Sequence, residues 1–212
     1  MNTKRVILPS VYLGPVQWYS KLFLGDEIII DIHEHYHKQT WRNRSRIIAA
    51  NGVQDLVVPV HAPNHTPMHE VKINYSDSWQ RQHWQSIRSA YGKSPFFEFY
   101  ADYFAPFYEV KKEMLSELNH EILTTTLKLL KIKKEIKYSA EYFPVYENAE
   151  DFRELISPKN NSENDKSFHS EKYQQVFEER HGFVPNLSII DLLCCAGPQA
   201  AGIINNVLRR GR

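Results

Sequence analysis

The sequence predicts an α+β domain, with a small mixed β-sheet in the N-terminal part covered by helices from the C-terminal part. Two apolar, β-branched runs, at residues 6–8 and 27–32, are typical of buried strands. A hairpin signal, Asn51-Gly52, follows them, and helical periodicity dominates from about residue 77 onward. A three-layer α/β arrangement is the alternative, because a helix between the first two strands suits a parallel crossover.

The N-terminal elements follow from local patterns. We expect a helix over residues 16–24 ended by Gly25, a central strand over 27–32, a hairpin of strands 47–50 and 53–60, and a short strand over 69–75. Asn51-Gly52 should form a type I′ turn, in which both central residues need positive φ. Pro59 is tolerated because it lies near the end of its strand, at a sheet edge.

The remaining elements are mostly helical. Helices are expected over residues 77–91, 95–105, 114–132, 188–195 and 198–208, and residues 148–172 form a polar, mobile loop within a single domain of residues 1–212. Asp77 and Gln80 resemble a capping box, and Ser94 should cap the second helix. Ser188 should cap the fourth, with Asp191 at its third position as a capping residue rather than a catalytic one.

Composition narrows the function classes. Hydrophobic residues make up 42% of the 212 residues, which excludes a globally disordered chain. A net charge of +1 gives no basic field, so no nucleic-acid partner is favoured. The two cysteines, Cys194 and Cys195, are adjacent and cannot form an ordinary disulfide, which favours the cytoplasm. No apolar run is long enough for a membrane span or a signal peptide.

The first candidate for chemistry is a histidine-rich segment after the second strand. If that strand continues, His33, His35 and His37 share one face and could bind a transition metal. Histidines on an exposed strand end are the simpler interpretation. We therefore predict neither a metal site nor a cofactor.

The second candidate is a donor-rich segment, Lys38-Gln39-Thr40-Trp41-Arg42-Asn43-Arg44, with Arg46 beyond it. Guanidinium groups suit phosphate or carboxylate oxygens, and Trp41 could stack on a base or a sugar. In an extended strand Arg42, Arg44 and Arg46 share a face. A solvated basic strand face with Trp41 in the core is an equally good interpretation of the spacing.

The third candidate lies in and after the helix that contains His83 and Tyr91. His83 could act as a general base near neutral pH, whereas a partly buried structural histidine is the alternative. Tyr91 belongs to the apolar stripe of this helix, and Lys93 lies just before a helix N-terminus that could attract an anion. The Rossmann, Walker, nucleophile-elbow and zincin motifs are all missing from the sequence.

Several segments together resemble the WbqC-like family of bacteria. They are Leu8-Pro9-Ser10 with Tyr19; residues 36–44; Asn51-Gly52 with residues 56–60; residues 72–75; His83-Trp84; residues 90–98; residues 173–177; and residues 182–193. The Arg-Asn-Arg segment and Leu187-Ser188-Ile189-Ile190-Asp191-Leu192-Leu193 are the most specific. The resemblance covers nearly the whole chain.

The resemblance implies a transferase of O-antigen type surface-polysaccharide biosynthesis, with glycine or another aminoacyl group transferred to an amino sugar. The substrate would be a small molecule such as a nucleotide sugar. On this hypothesis Lys38, Trp41, Arg42, Asn43, Arg44, Tyr91 and Lys93 bind substrate and His83 is the catalytic base. The alternative is a non-catalytic module of the same pathway that binds a nucleotide sugar or a partner.

Overall fold

The computed structural model describes residues 3–208 and contains eight strands and eight α-helices within that range. The strands are β1 (Arg5–Pro9), β2 (Glu27–Asp31), β3 (Arg44–Ala49), β4 (Gly52–Val57), β5 (Val60–His61), β6 (Lys72–Ile73), β7 (Ile136–Tyr138) and β8 (Ala149–Asp151). The helices are α1 (Val16–Ser20), α2 (Trp79–Tyr91), α3 (Phe97–Phe104), α4 (Pro106–Glu109), α5 (Leu115–Leu129), α6 (Glu178–His181), α7 (Ile189–Ala196) and α8 (Ala200–Asn206).

The main sheet has four strands in the order β7-β2-β1-β8, and all three pairings are parallel. Strands of opposite direction pair only outside this sheet, in the two-stranded units β3–β4 and β5–β6. This architecture is consistent with the predicted α+β class and with its α/β alternative. The parallel arrangement matters for function because it brings the carboxyl ends of four strands to one edge of the sheet.

The two central strands are the apolar runs seen in the sequence. Val6, Ile7 and Leu8 of β1 and Ile28 of β2 are fully buried, as parallel strands with both faces covered require. Helix α1 connects them and buries Trp18, whose indole N–H donates to the carbonyl of Pro9 at the end of β1. This bond fixes the helix over the carboxyl end of the sheet.

The β3–β4 hairpin is confirmed, but its expected turn is wrong. Ala49 pairs with Gly52, so the two loop residues are Ala50 and Asn51. Neither has positive φ, whereas Gly52 has a φ of +109°. A type I′ turn needs two left-handed positions, and here a single left-handed residue, the glycine, completes the reversal at the start of β4.

Two of the expected helix caps are also wrong. Helix α2 begins after Ser78, and its N-cap makes no side-chain hydrogen bond, so the Asp77–Gln80 capping box is absent. Helix α3 begins after Phe96, because the Ser94 hydroxyl donates to the carbonyl of Tyr91 at 2.7 Å and ends α2 instead. The cap of α7 is confirmed, with the Ser188 side chain accepting from the backbone N–H of Ile190.

The polar segment of residues 148–172 contributes to the core. It contains β8 and buries Phe152, Ile156 and Phe168. Its Asp165 carboxylate forms a buried ion pair with Lys21, which follows α1. The mobility of this segment stays a prediction. Within residues 3–208, no helix combines the length and the apolar character needed to cross a membrane.

Candidate functional site

A cleft lies at the carboxyl ends of the main-sheet strands, where parallel sheets commonly bind ligands. Asp31, the last residue of β2, organises the base of this cleft although its side chain is fully buried. Its Oδ1 accepts from the backbone N–H groups of His33 and Glu34 and from the Ser139 hydroxyl just beyond β7. Its Oδ2 accepts from Arg153, two residues beyond β8. One carboxylate therefore joins the ends of three strands.

Arg153 uses all five of its N–H donors inside the protein. Its Nε–H donates to Asp151, and Nη1 donates to Asp31 at 2.8 Å and to the carbonyl of Phe143 at 3.0 Å. Nη2 donates to the carbonyl of Pro144 at 3.1 Å and to Asp151. Although burial disfavours its charge, the two carboxylates raise the pKa of Arg153. Arg153 thus holds the cleft wall in place and has no donor left for a ligand.

Glu34 lies at the floor of the cleft, with a side chain only 5% exposed. Arg42 donates to it through both Nε, at 2.8 Å, and Nη2. Burial raises the pKa of Glu34 to about 7, and Arg42 opposes this effect. A carboxyl group that titrates near neutral pH can both accept and release a proton under working conditions.

The cleft has two contiguous lobes. The first, the carboxylate lobe, has a volume of about 360 Å³ and is lined by Glu34, His35, His37, Tyr142, Pro144, Asp151, Arg153 and Glu154. The second, the imidazole lobe, has a volume of about 400 Å³ and is lined by His35, Tyr36, His37, Lys38, Ala62, Pro63, Asn64, His65 and Tyr142. Both volumes fall in the lower part of the range typical of small-molecule sites.

Aromatic rings separate the two lobes. Tyr142 stacks on His35 with 5.2 Å between ring centroids, and His65 meets the edge of His35 at 5.2 Å. His35 and Tyr142 line both lobes. A ligand that spans the cleft would therefore lie against a preformed row of rings.

The expected histidine strand does not form. Strand β2 ends at Asp31, because the Asp31 carboxylate accepts hydrogen bonds from the backbone N–H groups of His33 and Glu34 and so turns the chain. His33 consequently lies 4.4 Å from the ring of His69, while His35 and His37 line the cleft. Between residues 3 and 208 no group of three or more histidine, cysteine, aspartate or glutamate side chains is placed to hold a metal ion.

Two of the residues predicted from the donor-rich segment are part of the cleft. Lys38 lines the imidazole lobe, and Arg42 lies beneath the carboxylate lobe, bonded to Glu34. The expected strand containing Arg42 is wrong, since β3 begins only at Arg44. Arg42 instead turns inward, where the Glu34 carboxylate matches its two parallel donors.

The rest of that segment lies outside both lobes. Asn43 donates to the carbonyl of Val58, and Trp41 is buried. Arg44 and Arg46 do share a face of β3, and both bind the carboxylate of Asp55 on β4. These contacts stabilise the hairpin, and the substrate-binding roles of Trp41, Asn43 and Arg44 stay predictions.

His83, Tyr91 and Lys93 also lie outside the cleft. His83 is buried, contacts the Tyr12 hydroxyl through Nδ1 at 3.0 Å and bonds to the backbone of Val57. Burial lowers its pKa to about 4. Tyr91 is fully buried below β3, and Lys93 is exposed after α2. The structure does not place these three residues beside Arg42, and their assigned roles stay predictions.

Sequence reasoning missed most of the cleft. Asp31 could have been found from the sequence, because it ends an apolar strand. Ligands of parallel sheets bind at the carboxyl ends of such strands. Asp151 and Arg153 could not have been found in this way, because β8 is a three-residue strand inside a polar segment and has no strand pattern. Tyr142 could be assigned only once the position of β7 was known.

The chain is 28% identical over 221 residues to an uncharacterized protein of Mycobacterium tuberculosis, a match that covers 93% of this chain and 95% of the relative. No solved structure matches the chain. The family model for the WbqC-like protein family matches residues 10–165, a stretch that includes every residue lining the two lobes. Since that match spans well over half of the sequence, the chain belongs to the WbqC-like protein family.

Proposed function

We propose that this chain is a cytoplasmic transferase of bacterial surface-polysaccharide biosynthesis, which transfers a glycyl or other aminoacyl group to the amine of an amino sugar. The substrates bind in the two-lobed cleft. The observation that carries the proposal is Glu34, a carboxyl group at the floor of the cleft whose pKa burial raises to about 7. Such a group is suited to general acid–base catalysis at neutral pH.

The chemistry assigned to Glu34 is proton transfer during acyl transfer. The amine nitrogen attacks the carbonyl carbon of an activated aminoacyl ester or thioester, and a new C–N bond forms. The bond from that carbon to the ester oxygen or thioester sulfur breaks, and its electron pair leaves with the alcohol or thiol. Glu34 accepts the proton that the nitrogen loses and passes it to the departing oxygen or sulfur, which leaves as the free alcohol or thiol. The bonds from Arg42 hold the carboxylate in place for this step.

Turnover with a defined substrate set tests the proposal. The purified chain is incubated with amino sugars and nucleotide amino sugars together with glycyl thioesters, and mass spectrometry detects the glycyl mass increase. Glu34→Gln should lower kcat by at least about 100-fold, the usual contribution of a general base. Glu179→Gln, an exposed glutamate on α6, is the matched control and should keep wild-type turnover. Glu34→Gln activity within about tenfold of wild type would contradict the role of Glu34.

A non-catalytic module that binds a nucleotide sugar or a partner in the same pathway is the second candidate. The observation that favours it is the pairing of Glu34 with Arg42, because a carboxylate bonded through both oxygens has less capacity to take a proton. This candidate predicts saturable nucleotide-sugar binding with no turnover of any donor. It also predicts that Glu34→Gln changes binding without any catalytic defect to measure.

A further inference from the structure

The two lobes of the cleft differ in charge. The carboxylate lobe is lined by Glu34, Asp151 and Glu154, with buried Asp31 beneath them. The lining of the imidazole lobe contains no carboxylate and includes Lys38 and three histidines. A single ligand that fills both lobes therefore meets carboxylates at one end and hydrogen-bond donors at the other.

The carboxylate lobe has more negative than positive groups. Its two guanidinium groups are both occupied, since Arg42 binds Glu34 and Arg153 binds Asp31, Asp151 and two carbonyls. Glu154 forms no salt bridge with any residue between 3 and 208, and its side chain is exposed to the lobe. The carboxylates of Asp31, Asp151 and Glu154 thus face two cations that are already bonded, and Glu34, whose pKa burial raises to about 7, adds part of a further negative charge. Ligand chemistry that compensates this excess is cationic.

The imidazole lobe offers hydrogen-bond donors rather than carboxylates. Burial lowers the pKa of His37, and the positive charge of Arg42 lowers it further, with smaller contributions from His35 and His65, whereas the Glu154 carboxylate raises it. His37 therefore favours its neutral form, in which one ring nitrogen is an N–H donor. Lys38 and the imidazole N–H groups are donors without a carboxylate among the lobe-lining residues. Phosphate oxygens are the acceptors that such donors suit.

We infer that the cleft binds a phosphorylated amine, with its ammonium group in the carboxylate lobe beside Glu154 and Glu34 and its phosphate in the imidazole lobe between Lys38 and His65. His35 and His37 line both lobes, so one molecule can reach both. The inference rests on the proposed function, to which it adds the substrate class. It places the acceptor amine beside Glu34, the group assigned to remove its proton.

Binding of matched probes tests the inference without requiring turnover. Isothermal titration calorimetry of the full chain at about pH 7 compares glucosamine 1-phosphate with N-acetylglucosamine 1-phosphate, which has the phosphate but no charged amine. Glucosamine tests the amine without the phosphate. The wild type should bind glucosamine 1-phosphate at least about tenfold more tightly than either. The affinity for UDP-glucosamine is compared with that for glucosamine 1-phosphate. This comparison shows whether the phosphate group that binds belongs to a nucleotide diphosphate or to a sugar phosphate.

Exposed residues of each lobe supply variants that should fold normally. Glu154→Gln should weaken glucosamine 1-phosphate about fivefold and leave the acetylated probe unchanged. Lys38→Gln should weaken both phosphorylated probes by a similar factor. Glu179→Gln and Lys128→Gln are the matched controls, because both side chains are exposed on helices outside the cleft.

Two results would overturn the inference. The first is equal affinity of the wild type for the amine and its acetylated form; the second is no binding of any phosphorylated amine. Neither decides the proposed function, because glycyl transfer to an unphosphorylated amino sugar would still support it. Conversely, the expected binding pattern without any glycyl transfer would support the inference and contradict the transferase.

Discussion

Replacing Lys21 by methionine should destabilise the protein strongly. The Lys21 side chain is 0% exposed and lies against the rings of Phe152 and Phe168, and its ammonium pairs with Asp165, which is 2% exposed. Methionine fills a similar volume and removes the charge. Asp165 then stays buried without its cation, a situation that typically costs about 3–5 kcal/mol.

Asp165 keeps other hydrogen bonds in this variant, so we expect the loss of unfolding free energy to be about 3 kcal/mol, the lower end of about 3–5 kcal/mol. Gln17 Nε2 still donates at 2.9 Å, and Ser167 donates through its backbone N–H at 3.0 Å and its hydroxyl at 2.7 Å. A loss of about 3 kcal/mol should lower Tm by about 6–12 °C in a protein of this size. Urea unfolding at about pH 7 measures the free energy directly, and Lys128→Met, on the exposed face of α5, is the matched control.

The double variant Lys21→Met/Asp165→Asn separates loss of charge pairing from loss of packing. If the uncompensated carboxylate causes the destabilisation, the double variant should recover at least about half of it. A Lys21→Met loss below about 1 kcal/mol, or a double variant less stable than Lys21→Met alone, would refute the reasoning. Although burial acts to raise it, the donors around Asp165 lower its pKa, so on the acid side the pair should lose its contribution as the pH falls below about 4. Because burial lowers the pKa of Lys21, the pair should also be lost at high pH, when Lys21 loses its proton.

Three further predictions concern other buried groups. Burial raises the pKa of Glu34 to about 7, so the folded state keeps a proton that the unfolded chain releases near pH 4.5. Stability should fall as the pH rises across this window, by up to about 1.4 kcal/mol per pH unit, and Glu34→Gln should flatten that slope in urea titrations. Burial lowers the pKa of His83 to about 4, so stability should fall as the pH drops from about 6.5 to 4, and His83→Ala should remove this dependence. If His83 is the base, the same variant should reduce turnover by more than about tenfold, and a smaller reduction in the transfer assay argues against that role. Tyr173→Phe removes a part-buried hydrogen bond to the fully buried carboxylate of Asp191 and should cost about 1–3 kcal/mol in urea unfolding, whereas exposed Tyr103→Phe should be neutral.

The predictable part of the fold is the part with strong local patterns. Local sequence patterns predicted the apolar strands β1 and β2, the apolar stripe of α5 and the Ser188 cap of α7. Strand β8 does not, because Ala149-Glu150-Asp151 has neither alternation nor β-branched residues. Its place in the sheet comes from backbone pairing with β1 and from the burial of Phe152 beside it.

The cleft was less predictable than the fold because it depends on strand order. Glu34 and Arg42 are eight residues apart, yet their pairing requires the turn that Asp31 imposes after β2. Arg153 reaches Asp31 only because β8 lies beside β1. The donor-rich segment was recognised correctly as polar, but a local pattern could not show that Asp55 neutralises Arg44.

The late position of β8 in the chain has a consequence for biosynthesis. Strand β1 leaves the ribosome early, but its partner on one side is encoded more than 140 residues later. At about 5–20 residues per second, the β1 edge stays open for about 7–28 s during translation. An unpaired, apolar edge strand is a template for wrong pairing, so nascent chains of this protein are most prone to it until the second half of the sequence emerges.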